Sequence, residues 1–200
     1  MKKELIIFYK NPELGKVKTR LAATMGDEAA LAIYYVLATY TRQVTDELLM
    51  KRSLWYSDYV DREDQWDNNM YTKILQQGKN LGERMHYAFQ AAFNGGADEV
   101  CIIGTDCLEL EQAHVLSAFE ALKDCDVAIG PSRDGGYYLL GMKRMIPELF
   151  ENKTWSTDQV FNNTVKDFER LDISYKKLHV LSDVDVDADL PKSILKKFRK

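Results

Sequence analysis

Five short segments of this chain carry residue types and spacings suited to phosphate or divalent-cation chemistry. The first, Lys10-Asn11-Pro12-Glu13-Leu14-Gly15-Lys16-Val17-Lys18-Thr19-Arg20-Leu21, holds four basic residues against one acid. Lys10, Lys18 and Arg20 can neutralise phosphate oxygens, and Gly15 lets the backbone approach a ligand closely. The spacing matches neither a P-loop nor a Gly-rich dinucleotide fingerprint, and a solvated basic turn is the competing reading. The second runs from Gln77 to Met85. There Gly78 and Gly82 could open a cleft for a flat base and Gln77 offers amide hydrogen bonds. Arg84 either reaches a phosphate or pairs with Glu83.

The third is Gly104-Thr105-Asp106-Cys107, directly after a continuous apolar run. A carboxylate there faces a crevice in which desolvation is costly unless a cation offsets it. Mg²⁺ or Mn²⁺ bridging Asp106 and phosphate oxygens meets that need, and capping of the next helix is the alternative. The fourth contains Arg133, Asp134, Gly135, Gly136 and Tyr137. Asp-Gly-Gly is a turn signal, and the same residues could line an acceptor site. The fifth is Asp183-Val184-Asp185-Val186-Asp187-Ala188-Asp189. In an extended chain its alternating carboxylates crowd one face and repel. Asp183 and Asp185 are the expected metal ligands, while Asp187 and Asp189 suit the start of a last helix. Lys18, Asp106 and Asp134 are the candidate catalytic groups.

These segments must be positioned by regular elements. Leu5–Tyr9 reads as a buried strand ending at Asn11-Pro12. Ile33, Leu37, Tyr40, Val44 and Leu48 form one apolar helical face. Strands are expected at Ser53–Tyr56 and Thr72–Leu75, then a helix with Leu81, Met85, Ala88, Phe89 and Ala92 inward. Val100–Gly104 has the continuous apolar character of a strand covered on both faces. A helix through Val115, Phe119 and Leu122 follows, then strands at Asp126–Gly130 and Tyr137–Leu140. Ser156-Thr157-Asp158-Gln159 has capping-box spacing and predicts a helix through Phe161, Val165 and Phe168. A strand near Lys177–Leu181 and a basic terminal helix close the chain. This alternation predicts one α/β domain over residues 1–200, with a mostly parallel sheet covered on both faces. Ligands in such sheets sit beyond the carboxyl ends of the strands, where four of the five segments fall.

Composition narrows the partners. A formal net charge of −4 excludes the basic footprint of a general nucleic-acid binder, but not a local basic loop for a small anion. Three cysteines with no metal-clip spacing predict no disulfide framework and a reducing, cytoplasmic setting. The N-terminal apolar run is too short for a signal peptide, and no stretch reaches the roughly 18 apolar residues of a membrane span. His86, His114 and His179 are scattered, and Trp155 is placed to cover a ligand.

Together the segments resemble a bacterial family of glycosyltransferase-like proteins associated with arsenosugar or selenium-related gene clusters. That family lies within the nucleotide-diphospho-sugar transferase superfamily. The resemblance rests on Phe8–Pro12 with Gly15–Leu21, Gln77-Gly78 with Leu81–Met85, Gly104–Cys107, Asp134–Tyr138 and Asp183–Asp185. It implies a three-layer α/β/α fold of the glycosyltransferase A type with a mixed, Rossmann-like sheet. It also implies a nucleotide held by the N-terminal half and a divalent metal on the Asp after the central strand. The chain is similar, too, to guanylyltransferases that load phospholactate or phosphoenolpyruvate, whose metal carboxylates match Asp106, Asp183 and Asp185. It departs from them at Leu108 and at Tyr137-Tyr138.

Two reactions fit: glycosyl transfer from a nucleotide sugar to a small acceptor, or nucleotidylyl transfer from a nucleoside triphosphate to a phosphorylated acid or sugar. Lys10, Lys18 and Arg20 would hold phosphates, with Gln77, Gly78 and Arg84 beside them. Arg133, Gly135, Gly136 and Tyr137 would line the acceptor side. A nucleotide-binding protein without turnover is the third reading.

Overall fold

A computed structural model of the chain describes residues 1–198. The two residues beyond, the end of the expected basic terminal segment, lie outside the described part. Strand β1 (Lys3–Tyr9) alternates its side chains between two cores, Leu5, Ile7 and Tyr9 to one and Ile6 to the other. Helices α1 (Thr19–Met25) and α2 (Asp27–Asp46) precede β2 (Lys51–Tyr56) and β3 (Thr72–Leu75). Helix α3 (Leu81–Asn94), β4 (Glu99–Ile103) and α4 (Gln112–Ala121) follow. Next come β5 (Val127–Pro131), β6 (Tyr137–Met142), a 3-10 turn at Pro147–Phe150, α5 (Val160–Arg170) and β7 (Tyr175–Lys177). A 3-10 turn at Asp187–Asp189 and helix α6 (Lys192–Phe198) end the described chain.

The seven strands form one sheet in the order β3-β2-β1-β4-β6-β5-β7. Tyr34 and Ala38 of α2 and Val115, Ala118 and Phe119 of α4 fill one face. Met85, Ala88, Phe89 and Ala92 of α3 and Phe168 of α5 fill the other, which gives the three layers. β1, β2, β3 and β4 run parallel, but β6 is antiparallel to both β4 and β5. The sheet is therefore mixed, as the family resemblance implies. Six of the seven strands run one way, so the mostly parallel reading holds, and β6 alone opposes them because Asp134-Gly135-Gly136 makes a tight reversal, with Ser132 N donating to Gly136 O at 3.0 Å. From β1 the chain winds outward to β3, then returns to place β4 on the other side of β1. That reversal leaves a crevice beyond the carboxyl ends of β1 and β4.

Four local expectations need correction. Residues 19–25, to which the sequence reading assigns no helix, form α1, whose Leu21 packs with Ile33, Leu37, Val184 and Leu190. Ser156 does not cap a helix: its φ is 61°, and α5 starts only at Val160, after Gln159. The last strand is Tyr175–Lys177 rather than Lys177–Leu181, and Leu181 makes only an isolated bridge to Ser132. Asp187 and Asp189 form their own turn, and α6 begins after Pro191, whose carbonyl takes its first bonds.

Candidate active site

A cleft of about 810 Å³ opens at the crevice between β1 and β4. Lys10, Lys18, Arg20, Arg84, Asp106, Tyr137, Asp183 and Asp185 all line it, although they are dispersed over 175 positions of sequence. Buried hydrogen bonds fix the loops that bring them together. Tyr34, on the inner face of α2, receives Lys10 N at 3.0 Å and donates to Lys10 O at 2.7 Å, with Thr105 Oγ1 3.4 Å away. It thereby ties the end of β1 to the end of β4. Val184 N donates to Asp106 O at 2.9 Å, which fastens the acidic segment to the same place.

Lys18 is the centre of this arrangement. Its Nζ donates to Val184 O at 2.6 Å, and stands 3.0 Å from Asp106 Oδ2 and 3.5 Å from Asp185 Oδ1. Arg20 Nη1 meets Asp185 Oδ2 at 3.3 Å. Asp183 lies deeper, and burial, reinforced by the charges of Asp106 and Asp134, pushes its pKa up to about 7 against the opposing pull of Lys18. Asp106 does not cap α4, which begins only at Gln112. Asp106, Asp183 and Asp185 thus outnumber Lys18 and Arg20 on the acidic side of the cleft.

That excess bears on a divalent cation. Asp106, Asp183 and Asp185 supply only carboxylate oxygens, the donors that hard ions such as Mg²⁺ and Mn²⁺ take. Among the described residues, no three such groups converge closely enough to hold an ion as they stand. An ammonium already bridges two of these carboxylates. The donor chemistry fits, and the geometry requires Asp106 and Asp185 to close around an ion.

The second segment reaches the cleft differently from its sequence reading. Glu83 is engaged in the helix cap, accepting from Lys79 N at 2.8 Å and Asn80 Nδ2 at 2.9 Å. Arg84 is thus free of it and bonds Gly78 O at 3.2 Å and Gln76 Oε1 at 3.3 Å. Gln76, not Gln77, lines the cleft, and Gly78 acts through Arg84. Gly82 leaves no opening for a base: the Trp155 indole fills the space a side chain would occupy. Trp155 lines a neighbouring cavity of about 540 Å³, while Ser156 beside it lines the cleft itself.

Gly15, Gln77, Gly78, Arg133, Asp134, Gly135 and Gly136 do not line the cleft. Asp134 Oδ1 accepts from Ser132 Oγ and, at 3.0 Å, from Gly136 N, which shapes the β5–β6 turn. Gly135, at φ 89°, lies so close to Asp158 that any side chain would collide with its backbone. Its carbonyl receives Phe161 N at 2.9 Å and so anchors the start of α5.

Several residues that line or support the cleft were not singled out as site residues in the sequence. Asn11, buried, receives Asp58 N at 3.0 Å and Tyr59 N at 3.3 Å and donates to Tyr59 O at 2.9 Å. It presents Ser57 and Asp58 to the cleft. Tyr34 is masked as one more residue of an apolar helical face. Tyr138, neighbour of the expected Tyr137, also lines the cleft. Its hydroxyl is buried without a hydrogen-bond partner, and burial together with Cys107 and Asp183 pushes its pKa up to about 12. All three cysteines carry free thiols, and among the described residues no helix is long and apolar enough to cross a membrane.

A mixed sheet in this order, with cations and carboxylates gathered at its switch point, defines the class of nucleotide-diphospho-sugar transferase folds. The chain belongs to the family described as "Uncharacterized protein conserved in bacteria (DUF2064)", whose model matches residues 39–157. Among solved structures it is similar to a protein of Desulfovibrio desulfuricans G20 provisionally described as a nucleotide-diphospho-sugar transferase. The two are 31% identical over 94% of this chain and 84% of that one, with a TM-score of 0.87. The inositol-1-phosphate CTP transferase of T. maritima shares the fold at 14% identity, 98% and 94% coverage and a TM-score of 0.63. CMP:2-keto-3-deoxy-manno-octonic acid synthetase, complexed with CTP, does so at 10% identity, 98% coverage of both chains and a TM-score of 0.61. No curated protein matches the sequence.

Proposed function

We propose that this protein is a metal-dependent transferase that takes a nucleotide-diphospho-sugar as donor and passes the glycosyl group to a small acceptor. The observation that carries this reading is the single cleft in which Lys10, Lys18, Arg20 and Arg84 meet Asp106, Asp183 and Asp185. Its volume of about 810 Å³ lies within the roughly 300–1,000 Å³ of small-molecule sites. The description of the Desulfovibrio relative supports the sugar donor.

In this reading Lys10 and Arg84 contact the diphosphate, and Lys18 and Arg20 balance charge that builds on it as the glycosyl bond breaks. Asp106, Asp183 and Asp185 would hold Mg²⁺ or Mn²⁺, which when bound supplies Lewis-acid stabilisation of the departing diphosphate. Asn11 and Tyr34 keep the two loops in register, so that little reorganisation is left for the reaction itself. Tyr137, whose hydroxyl lies 3.8 Å from Met85 Sδ, and Ser156 border the acceptor side. Asp134, tied into its turn, acts on this side through the position of Gly136 and Tyr137.

A second reading, nucleotidylyl transfer from a nucleoside triphosphate with release of pyrophosphate, is favoured by the number of cations in the cleft. Phosphorus NMR of reaction mixtures separates the two. Release of nucleoside diphosphate from a nucleotide sugar supports glycosyl transfer, and pyrophosphate from a triphosphate supports the second reading. Metal-dependent binding with neither product would leave a non-catalytic nucleotide binder.

A further inference from the structure

Lys18 is held in an unusual way for a phosphate-binding residue. Its side chain is only 5% exposed, whereas the carboxylates it bridges, Asp106 and Asp185, are 44% and 37% exposed. The ammonium has three oxygen neighbours: Val184 O, hydrogen-bonded at 2.6 Å, and the two carboxylates, ion-paired at 3.0 and 3.5 Å. The backbone at Lys18 is left-handed, with φ 47° and ψ 46°, a conformation that costs a lysine free energy unless its surroundings impose it. The side chain is thus committed to the two acids and to Val184 O.

The acids that Lys18 occupies are the ones assigned to the metal above, and the inference rests on that reading. An ammonium and a divalent ion cannot share Asp106 and Asp185 without strong mutual repulsion. We infer that Lys18 is a built-in counter-ion that a divalent cation displaces from Asp106 and Asp185, which releases the ammonium toward the donor phosphates. Metal and nucleotide then bind cooperatively. The metal alone must compete with Lys18, the phosphates alone find Lys18 engaged, and each relieves the obstacle to the other. Arg20, already largely exposed and bound to Asp185 by one contact at 3.3 Å, follows the same path with less to lose.

The test uses Mn²⁺ without nucleotide, followed by the electron paramagnetic resonance signal of the free ion, on wild-type protein and Lys18→Met. Loss of the competing ammonium is expected to tighten Mn²⁺ binding by about tenfold or more. A second arm needs no variant: reductive methylation of the wild-type protein, read by mass spectrometry. Lys18 is expected to label slowly without metal and about tenfold faster at saturating Mn²⁺, as the ammonium leaves its buried contacts. Lys73 and Lys153, whose side chains are 1% and 2% exposed, serve as internal controls that stay protected throughout. Equal Mn²⁺ affinity in the two proteins, or labelling of Lys18 indifferent to the metal, overturns displacement while leaving the metal site standing. No Mn²⁺ bound by either protein overturns the metal site and the displacement with it. If Lys18→Met fails to fold, the labelling arm decides alone.

Discussion

Lys73 and Lys18 are both buried and both paired with aspartate, to different ends. Lys73, on β3, places its Nζ 2.6 Å from Asp64 Oδ1 and 2.9 Å from Asp61 O. Tyr56 donates to Asp64 Oδ2 at 2.6 Å, and the lysine and aspartate side chains are 1% and 11% exposed. Lys18 also lies buried, but its partners Asp106 and Asp185 open onto the cleft. The first cluster is closed: every strong acceptor has its donor, and nothing is left to bind. The second has more carboxylate than cation and a route to solvent, which is the condition of a site awaiting a ligand. Lysine–aspartate pairing alone does not mark function; the exposure of the acids and the additional carboxylate of Asp183 do.

The comparison breaks most visibly through stability. Asp64→Ala should strand the Lys73 charge in the interior and cost about 3–5 kcal/mol in denaturant unfolding. Asp106→Asn, by contrast, should stay within about 1 kcal/mol of wild type while losing metal-dependent nucleotide binding. Equal destabilisation by the two would erase the distinction between the clusters.

Next in size is the loss of ligand affinity. Lys18→Ala with Arg20→Ala should weaken phosphate-bearing ligands by about 10–100-fold and flatten their salt dependence in titration calorimetry. A double variant that binds like wild type would reduce the basic loop to a solvated turn. Asp183→Asn sharpens the part played by the additional carboxylate. Removing a buried carboxylate surrounded by others should raise the melting temperature of the metal-free protein by roughly 2–4 °C, about 1 kcal/mol, while weakening metal binding. A lower melting temperature would mean that Asp183 is already compensated. The smallest effect is expected at Tyr138→Phe. Its hydroxyl has no partner, so thermal stability should change by no more than about 0.5 kcal/mol.

Much of this arrangement was legible in the sequence. Apolar runs at Leu5–Tyr9 and Val100–Gly104 and the stripe Met85, Ala88, Phe89 and Ala92 pointed to strands and a helix whose types the structure bears out, although Leu81, expected inward, is exposed. Carboxylates and cations placed just after them reached one cleft because the ends of parallel strands meet there. What escaped depends on contacts far apart in the chain. The short α1 has too few turns for a period to show, and it is held by Val184 and Leu190 from the other end of the molecule. The strand at the N-terminus begins earlier than its apolar run because Glu4 is buried with help from Ser53 Oγ at 2.7 Å and Lys51 Nζ at 2.8 Å. Gly82 looked like an opening and is a seat for Trp155, a distinction no local pattern carries. Ser156 has cap spacing, yet Asp158 packs against Gly135 and the helix takes Gln159 as its N-cap instead.

The central claim is that metal and nucleotide meet on Asp106. It is tested most directly by thermal shift of wild-type protein and Asp106→Asn against nucleotide sugars and nucleoside triphosphates, each with and without Mg²⁺ or Mn²⁺. A ligand that binds only the native state must raise the melting temperature. The account predicts a rise in the wild type that requires nucleotide and metal together and is absent in Asp106→Asn. The same rise in both proteins, or none from any nucleotide in the wild type, would contradict it.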